Sequence, residues 1–390
     1  MSAAAAAERT GLPGAHAHRV IFIDLARALA VFFMLYGHTI DALLEPSYRV
    51  GTWFDAWQFQ RGLTSSLFLL LSGFAFSIAT GRHWTSHVHI TPAWWRRVRR
   101  FAWFVFLGYS LHSPVGRAVD FKYATAEGWR AFFAVDVLQL IGVTFIGVQC
   151  LVLLTRTRAW FTRVAVALAV LLVAVSPTVW AVDWSRWLPM GVWGYLSPVF
   201  GPSYPLFPAV PWSAFILIGA ALGQIYSTWG GSHLEEFANK VLLIPGLLAV
   251  AAGYGAAYLP IAAFANGARS VLPVDLLIRT GACMAIMGVI AHASQRVIRL
   301  PRVFSAVAQE TLVIYFFHLC VIYGSAWSYG LVQFYGATLG PAQTAGTVAV
   351  LVVAMSVMAL WWNWLKHSRP RVARYTALAG CLVLVGGILF

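Results

Sequence analysis

Charged side chains are scarce in this chain. Only 10% of the 390 residues are Asp, Glu, Lys or Arg, whereas 60% are hydrophobic and the mean hydropathy is +0.74. Because an average soluble domain has about 25% charged residues, this composition excludes an ordinary soluble protein. The chain is predicted to be an integral membrane protein.

Cysteine is also rare, and its spacing does not indicate metal or disulfide chemistry. The four cysteines lie far apart in apolar segments, without a C-x-x-C pair. His83, His87 and His89 have an H-x3-H-x-H spacing but no carboxylate or cysteine beside them. No metal site is expected from these patterns.

The long apolar runs lack the alternation of a transmembrane strand. Each is long enough to cross about 30 Å of hydrocarbon as a helix, which favours a bundle over a barrel. The sequence therefore predicts an all-α polytopic membrane bundle of about 10–11 transmembrane helices. About eleven runs are recognised, at 20–43, 63–80, 98–113, 131–154, 162–182, 210–228, 241–260, 273–294, 307–334, 343–365 and 375–390.

The net charge of +14 is explained by membrane topology, and no nucleic-acid partner is expected. With the N-terminus in the cytoplasm, 18 of the 27 basic residues fall on the cytoplasmic side and seven on the opposite side. This bias follows the positive-inside rule. Residues 1–18 are small and polar, without signal-peptide features, and are predicted to form a disordered cytoplasmic tail. Residues 19–390 are predicted to form one transmembrane domain.

The first apolar segment contains four ionisable residues. Arg27 and His38 are eleven residues apart, about three helical turns and 16 Å, and Asp24 and Asp41 fall on the same side. An ionisable group at the bilayer centre costs about 3 kcal/mol, so this stripe must face a protein interior or a wet cavity. The stripe is the candidate active site.

Two interpretations of the stripe stay open at this stage. In the first, His38 is a general base or acid, and Asp41 or Asp24 orients it by a hydrogen bond. In the second, Asp24 and Arg27 form an intramembrane ion pair that only holds helices together, while His38 bonds a neighbouring carbonyl.

The second segment and the loop after it add polar candidates. Ser72 and Gly73 belong to a small-residue patch that lets a helix or a thioester ligand approach closely. Four arginines then follow Pro92 within one and a half turns and can pair with phosphates of lipids or of a nucleotide-like cofactor. They are Arg96, Arg97, Arg99 and Arg100. Topology alone also accounts for such a basic cluster.

Two further pairs of polar residues lie in later segments. Asp136 and Gln139 are one turn apart near the outer end of the fourth segment, which indicates a cavity wall. In the ninth segment, Tyr315 and His318 are one turn apart and can meet the first segment across the bundle. A packed, hydrogen-bonded His318 is the alternative to a functional one.

Several motifs resemble a known superfamily. Arg27, ten residues and His38, together with SSLFLLLSGF and TLVIYFFH, resemble the R-x10-H and later signatures of the membrane acyltransferase type 3 family. MLYGHTID, DVLQLIGV and YPLFPAVPWSAFILIGAALG are closer to the catalytic domain of heparan-α-glucosaminide N-acetyltransferase and its bacterial relatives. Both groups belong to one transmembrane acyltransferase superfamily, and the motifs occur in order over most of the chain.

The resemblance implies a transmembrane acyltransferase that takes an acyl group, usually acetyl, from cytoplasmic acyl-CoA and delivers it to an extracytoplasmic acceptor. The acceptor is expected to be a glycan hydroxyl or amine. By position, His38 corresponds to the catalytic histidine and Arg27 to its motif partner. The four arginines after Pro92 are candidates for the CoA phosphates, and Ser72, Tyr315 and His318 are further candidates for the cosubstrate site.

A proton-coupled secondary transporter is the main alternative, because intramembrane Asp, Arg and His also mark ion paths. A non-catalytic scaffold or lipid-binding protein would leave the stripe unexplained. Membrane lipids are expected partners, and the sequence is compatible with a homodimer without deciding the oligomeric state. The composition, rich in Ala and Arg and poor in Lys, indicates a GC-rich bacterial genome, and the expected location is a bacterial inner (plasma) membrane.

Overall fold

The computed structural model describes residues 20–199, 207–257 and 273–389. The predicted tail, residues 1–18, lies outside this part of the chain. Twelve long or functionally placed helices are used below. They are α1 (Ile21–Leu43), α2 (Thr52–Gly81), α3 (Pro92–Leu111), α4 (Val137–Thr155), α5 (Arg158–Ala181), α6 (Ala209–Gly230), α7 (Leu234–Ala256), α8 (Pro273–Ser294), α9 (Arg302–Gln309), α10 (Thr311–Tyr323), α11 (Pro341–Ser368) and α12 (Pro370–Leu389).

The protein is an all-α polytopic bundle, as the composition predicts. Among the described residues, nine helices are long and apolar enough to span a membrane, or ten when the bent pair α9 and α10 counts as one span. Helix α3 also has 20 residues, but four arginines in its first half reduce its hydropathy. The prediction of an all-α polytopic bundle is confirmed, with nine or ten candidate spans in the described part of the chain.

The most extensive interface joins α2 and α6. Gly73 of α2 meets the backbone of Ile216, and Gly219 of α6 meets the backbone of Leu70. Without a Cβ at these positions, the two helices approach until their backbones are nearly in contact. The small-residue patch around Gly73 therefore serves helix packing.

Helix α2 begins earlier than expected. Gly51, with φ of 90°, precedes the helix, which then runs unbroken for 30 residues from Thr52. The expected start at residue 63 is therefore wrong, and Arg61, one of the seven basic residues assigned above to the side opposite the cytoplasm, lies within α2. The early turns of α2 are amphipathic rather than uniformly apolar, which hides them from a search for apolar runs.

The expected ninth segment, 307–334, is not one continuous helix: it contains the end of α9, all of α10 and most of a short helix, Leu331–Tyr335. Helices α9 and α10 meet at an angle of 81°, and the backbone of Glu310 between them is not helical. The buried Glu310 carboxylate accepts hydrogen bonds from Asn363 at 2.9 Å and Lys366 at 2.8 Å, both on α11. At the other end, Gly324, with φ of 80°, terminates α10 directly after Tyr323.

Candidate functional site

Helices α1 and α10 lie side by side and run in the same direction. Near the end assigned to the cytoplasm, Arg27 Nη2 donates to Thr311 Oγ1 at 3.1 Å. Eleven residues later on α1, His38 meets Tyr323, twelve residues after Thr311 on α10. The polar stripe of α1 therefore faces a protein neighbour, as its composition requires.

The His38 ring is held by Tyr323. Nδ1 of His38 lies 3.2 Å from the Tyr323 hydroxyl, and that hydroxyl donates to the backbone carbonyl of His38 at 3.5 Å. When the Nδ1–H of His38 donates to this oxygen, the lone pair of the ring is on Nε2, where a general base needs it.

The His38 end of the bundle is accessible. Tyr323 is 37% exposed, and His38 is half-buried. Part of the His38 and Tyr323 surface is therefore not covered by the protein, at the end of the bundle that the basic residues assign to the outside.

His318 lies against His38, with 5.3 Å between the ring centroids. Its Nδ1 donates to the carbonyl of Ile314 at 2.8 Å, one turn earlier on α10. The side chain is fully buried, and its Nε2 has no hydrogen-bond partner in the described part of the chain. The prediction that this segment meets the first one is confirmed for His318.

Tyr315 connects this pair of histidines to α4. Its ring centroid is 5.5 Å from that of His318, and its hydroxyl donates to Asp136 Oδ2 at 3.2 Å. Asp136 also caps the first turn of α4 and lies 3.7 Å from His112 Nε2 at the end of α3. We call His38, His318, Tyr315, Tyr323 and Asp136 the outer polar cluster.

The two aspartates of the stripe have other surroundings. Asp41 forms an ion pair with Arg61 of α2, and Arg49 donates to the carbonyl oxygen of Asp41 at 3.0 Å. The expected hydrogen bond from Asp41 to His38 is therefore wrong, because the carboxylate turns toward a guanidinium and Tyr323 takes its place. Asp24 is 9% exposed in the first turn of α1.

The four arginines of α3 differ in their surroundings. Arg97 is turned inward, donating to Thr80 at 2.6 Å and Gln149 at 3.3 Å, with its guanidinium 5.2 Å from the Phe76 ring centroid. Arg100 lies over Phe104. Arg96 and Arg99 face outward on the helix face that also includes Trp95.

Arg96 and Arg99 line an open groove of about 490 Å³ at the start of α3. Thr91 begins the helix by accepting a hydrogen bond from the Trp94 amide at 3.2 Å. Two guanidinium groups one turn apart beside this groove can pair with phosphate oxygens. The structure therefore distinguishes Arg96 and Arg99 from Arg97, which the sequence could not do.

His87 lies outside the membrane spans, in the short helix Trp84–His87. It is 5% exposed. Burial, together with the positive charge of Arg97 and the neighbouring His83, lowers the pKa of His87 to about 4. This histidine is therefore neutral at physiological pH.

Ser72 is half-buried, and its hydroxyl donates to the carbonyl of Phe68 at 2.8 Å, one turn earlier. This local bond satisfies the hydroxyl within α2. Phe68 itself stacks on Tyr315, with 6.5 Å between the centroids. Ser72 therefore has an intrahelical partner, one turn from a residue that contacts the outer polar cluster.

Four residues with direct contacts to the candidates were missed in the sequence. Tyr323 and Thr311 are at the two ends of α10, Arg61 lies within α2, and His112 ends α3. A signal existed for Tyr323, which precedes Gly324 at the natural end of a helix that already contains Tyr315 and His318. The sequence contains no comparable signal for Arg61, because this residue precedes the apolar run that marks the second segment.

Among residues 20–199, 207–257 and 273–389, no three histidine, cysteine or carboxylate side chains come together as metal ligands.

A family model described as heparan-alpha-glucosaminide N-acetyltransferase, catalytic, matches residues 19–259. The match includes Arg27, His38 and the arginines of α3, and it ends before α10. No curated protein matches the chain.

Proposed function

Because the chain belongs to the heparan-alpha-glucosaminide N-acetyltransferase catalytic family, we propose that it transfers an acetyl group from cytoplasmic acetyl-CoA to an extracytoplasmic acceptor. The protein is an integral, multi-pass membrane acetyltransferase. We propose a glycan hydroxyl or amine as the acceptor and a bacterial plasma membrane as the location.

The observation that supports this proposal is the environment of His38. Nδ1 of His38 lies 3.2 Å from the Tyr323 hydroxyl, and we propose that it donates to this oxygen, so that Nε2 is the base. Acyl transfer from a thioester needs such a base to take the proton of the incoming hydroxyl or amine. Arg27, Asp24 and Asp41 complete the proposed site, with Asp41 acting through Arg61 rather than on His38.

In the direct route, the acceptor oxygen or nitrogen attacks the thioester carbonyl while His38 Nε2 takes its proton. The C–O or C–N bond forms, the C–S bond breaks, and His38 returns the proton to the sulfur of CoA. In the alternative route, His38 Nε2 attacks the thioester carbonyl, the C–S bond breaks and CoA leaves as a thiolate. The acceptor then attacks the acetyl group, the bond from this group to His38 breaks, and the acceptor proton goes to the CoA thiolate. Labelled acetyl trapped on the protein without acceptor would distinguish the second route.

The donor is proposed to enter from the end where basic residues are concentrated. Arg96 and Arg99 beside their open groove suit the phosphates of CoA, and Arg27 lies on the same side of His38. Arg97 is proposed to support this region through Thr80 and Gln149 rather than to bind phosphate. Ser72 and Tyr315 are proposed to shape the space around the acyl group.

The test is thioester turnover by purified protein in nanodiscs, with acetyl-CoA and mixed glycan acceptors. His38→Ala is expected to lower kcat by at least about 100-fold, the usual contribution of a general base. Arg27→Ala and Arg96→Ala are expected to raise KM for acetyl-CoA. His89→Ala and Arg374→Ala remove exposed side chains of the same types and serve as matched controls.

Absence of turnover by the folded wild-type protein with acetyl-CoA and longer acyl-CoAs would contradict the proposal. Uptake of a proton or solute into sealed vesicles, abolished by His38→Ala, would then favour the transport alternative. Thermal stabilisation by CoA separates the two classes independently, because a saturating ligand of the native state raises the unfolding temperature.

A further inference from the structure

We propose that His318 is a positioning residue for His38. Its buried Nε2 accepts a hydrogen bond from the His38 ring once that ring has taken the proton of the incoming acceptor. The inference rests on the proposed function, since it assigns His318 a role in the same reaction.

The tautomer of His318 is fixed by its own helix. Nδ1 donates to the Ile314 carbonyl at 2.8 Å, so the proton of the neutral ring is on Nδ1 and the lone pair is on Nε2. This arrangement makes His318 a hydrogen-bond acceptor toward its surroundings. A ring without the Ile314 bond could present either a donor or an acceptor.

The acceptor atom has no partner among the described residues, although the side chain is fully buried. A buried polar atom without a hydrogen bond destabilises the fold, so native structures usually satisfy such atoms. An unsatisfied acceptor next to a candidate base is therefore informative. It indicates that a donor is present during part of the reaction cycle.

His38 is the side chain placed to supply that donor. The two ring centroids are 5.3 Å apart with an interplanar angle of 48°, so a small rotation about the side-chain bonds can bring ring nitrogens within hydrogen-bond distance. When His38 becomes an imidazolium, both of its nitrogens are donors. The Tyr323 oxygen accepts from Nδ1, and His318 Nε2 is available for Nε2–H.

The surroundings explain why a neutral acceptor fits this position. Asp41, the carboxylate nearest to His38 in sequence, is paired with Arg61, and Asp136 is bonded to Tyr315. His38 is thus stabilised in its protonated form by hydrogen bonds rather than by a direct carboxylate partner. The proton remains available for return to the CoA sulfur, and His318 gains and loses no proton.

Tyr315 and Asp136 hold His318 in place. The Tyr315 ring lies edge-on to the His318 ring at 5.5 Å, and its hydroxyl is anchored to Asp136 at 3.2 Å. Because Asp136 is the first-turn cap of α4, the position of His318 depends on two helices, α10 and α4. Such support restricts the ring to the orientation that faces His38.

The test compares His318→Phe with His318→Gln in the full-length protein in nanodiscs. Phe keeps the planar bulk but removes the acceptor, and Gln provides an amide oxygen near the position of Nε2. His318→Phe is expected to lower kcat by about 10- to 100-fold, with KM for acetyl-CoA changed by less than about twofold. His318→Gln is expected to recover most of the lost kcat.

His292→Phe is the matched control, because it removes a half-buried histidine of α8 that bonds Asn239 far from the site. It is expected to keep the wild-type kcat. Stabilisation by acetyl-CoA is measured for every variant.

Wild-type kcat in His318→Phe would overturn the inference. Equal loss of kcat and of acetyl-CoA stabilisation in the Phe and Gln variants would also overturn it, because it would show a purely structural role. Failure of the proposed function gives a different result, the absence of thioester turnover in the wild-type protein, and this would remove the basis of the inference as well.

Discussion

The hydroxyl of Tyr323 lies 3.2 Å from Nδ1 of His38, where a catalytic triad would have a carboxylate. The ring therefore has a hydrogen-bonding neighbour, a tyrosine hydroxyl, that the R-x10-H motif does not include.

Replacing Tyr323 by Phe removes this hydroxyl and keeps the ring. We expect kcat to fall by about 5- to 10-fold, the effect of one neutral hydrogen bond. Steady-state kinetics with acetyl-CoA measure the change. Tyr329→Phe, at a side chain that is 80% exposed, is the control and is expected to have no effect. Unchanged kcat in Tyr323→Phe would show that another group orients His38.

Lys366 is expected to stabilise the folded protein through its ion pair with the buried Glu310 carboxylate. Glu310 is 3% exposed. In Lys366→Met, Asn363 is the one partner described above that still donates a hydrogen bond to the Glu310 carboxylate. We expect a loss of about 2 kcal/mol in unfolding free energy, since breaking a buried ion pair leaves an uncompensated charge. Thermal unfolding in detergent measures this loss. The double variant Glu310→Gln with Lys366→Met is expected to regain stability, and a double variant as unstable as the single one would exclude this cause.

A methyl group added at the α2–α6 interface is expected to lower the free energy of unfolding. Gly219→Ala would place a Cβ against the Leu70 carbonyl, and a backbone atom cannot move aside as a flexible side chain does. We expect a loss of about 3 kcal/mol or more, at the upper end of overpacking effects. Gly147→Ala in α4 is the control, because no atom lies within 4 Å of its new Cβ. Equal unfolding temperatures for the two variants would contradict the close approach of α2 and α6.

His87 is expected to make stability depend on pH. Its pKa is about 4 in the folded protein and about 6.5 when unfolded, so the unfolded chain binds a proton first as the pH falls. The stabilisation is complete above pH 6.5 and is lost progressively between pH 6.5 and 4. In His87→Gln, the unfolding temperature is expected to vary less with pH over this interval. His89→Gln, at an exposed histidine, is expected to keep the wild-type profile.

Much of the architecture could be predicted because lipid imposes simple requirements. Long apolar runs locate the helices, and the scarcity of charge excludes soluble classes. Helix α2 and the α9–α10 bend were misjudged because a linear pattern does not show tertiary contacts. Arg61 was left outside the second segment, whereas it lies within α2 and pairs with Asp41. Glu310 was included in one continuous segment, whereas the helix is interrupted there and α11 supplies the partners of its carboxylate.

The candidate site was only partly predictable. Spacing alone puts Arg27 and His38 on one face, but it does not identify what they face. Thr311 and Tyr323 are determined by the pairing of α1 with α10, which no local pattern encodes. The roles of the four α3 arginines also depend on tertiary structure, since only the fold shows that Arg97 points to Thr80 while Arg96 and Arg99 line the groove.

The pairing of α1 with α10 has a consequence for biogenesis. Arg27 and Thr311 are 284 residues apart, and His38 and Tyr323 are 285 apart. Helix α1 therefore leaves the ribosome first, and its polar face is without these partners until nearly the whole chain has been inserted. A nascent or truncated chain that ends before Thr311 therefore lacks the partners that Arg27 and His38 contact on α10.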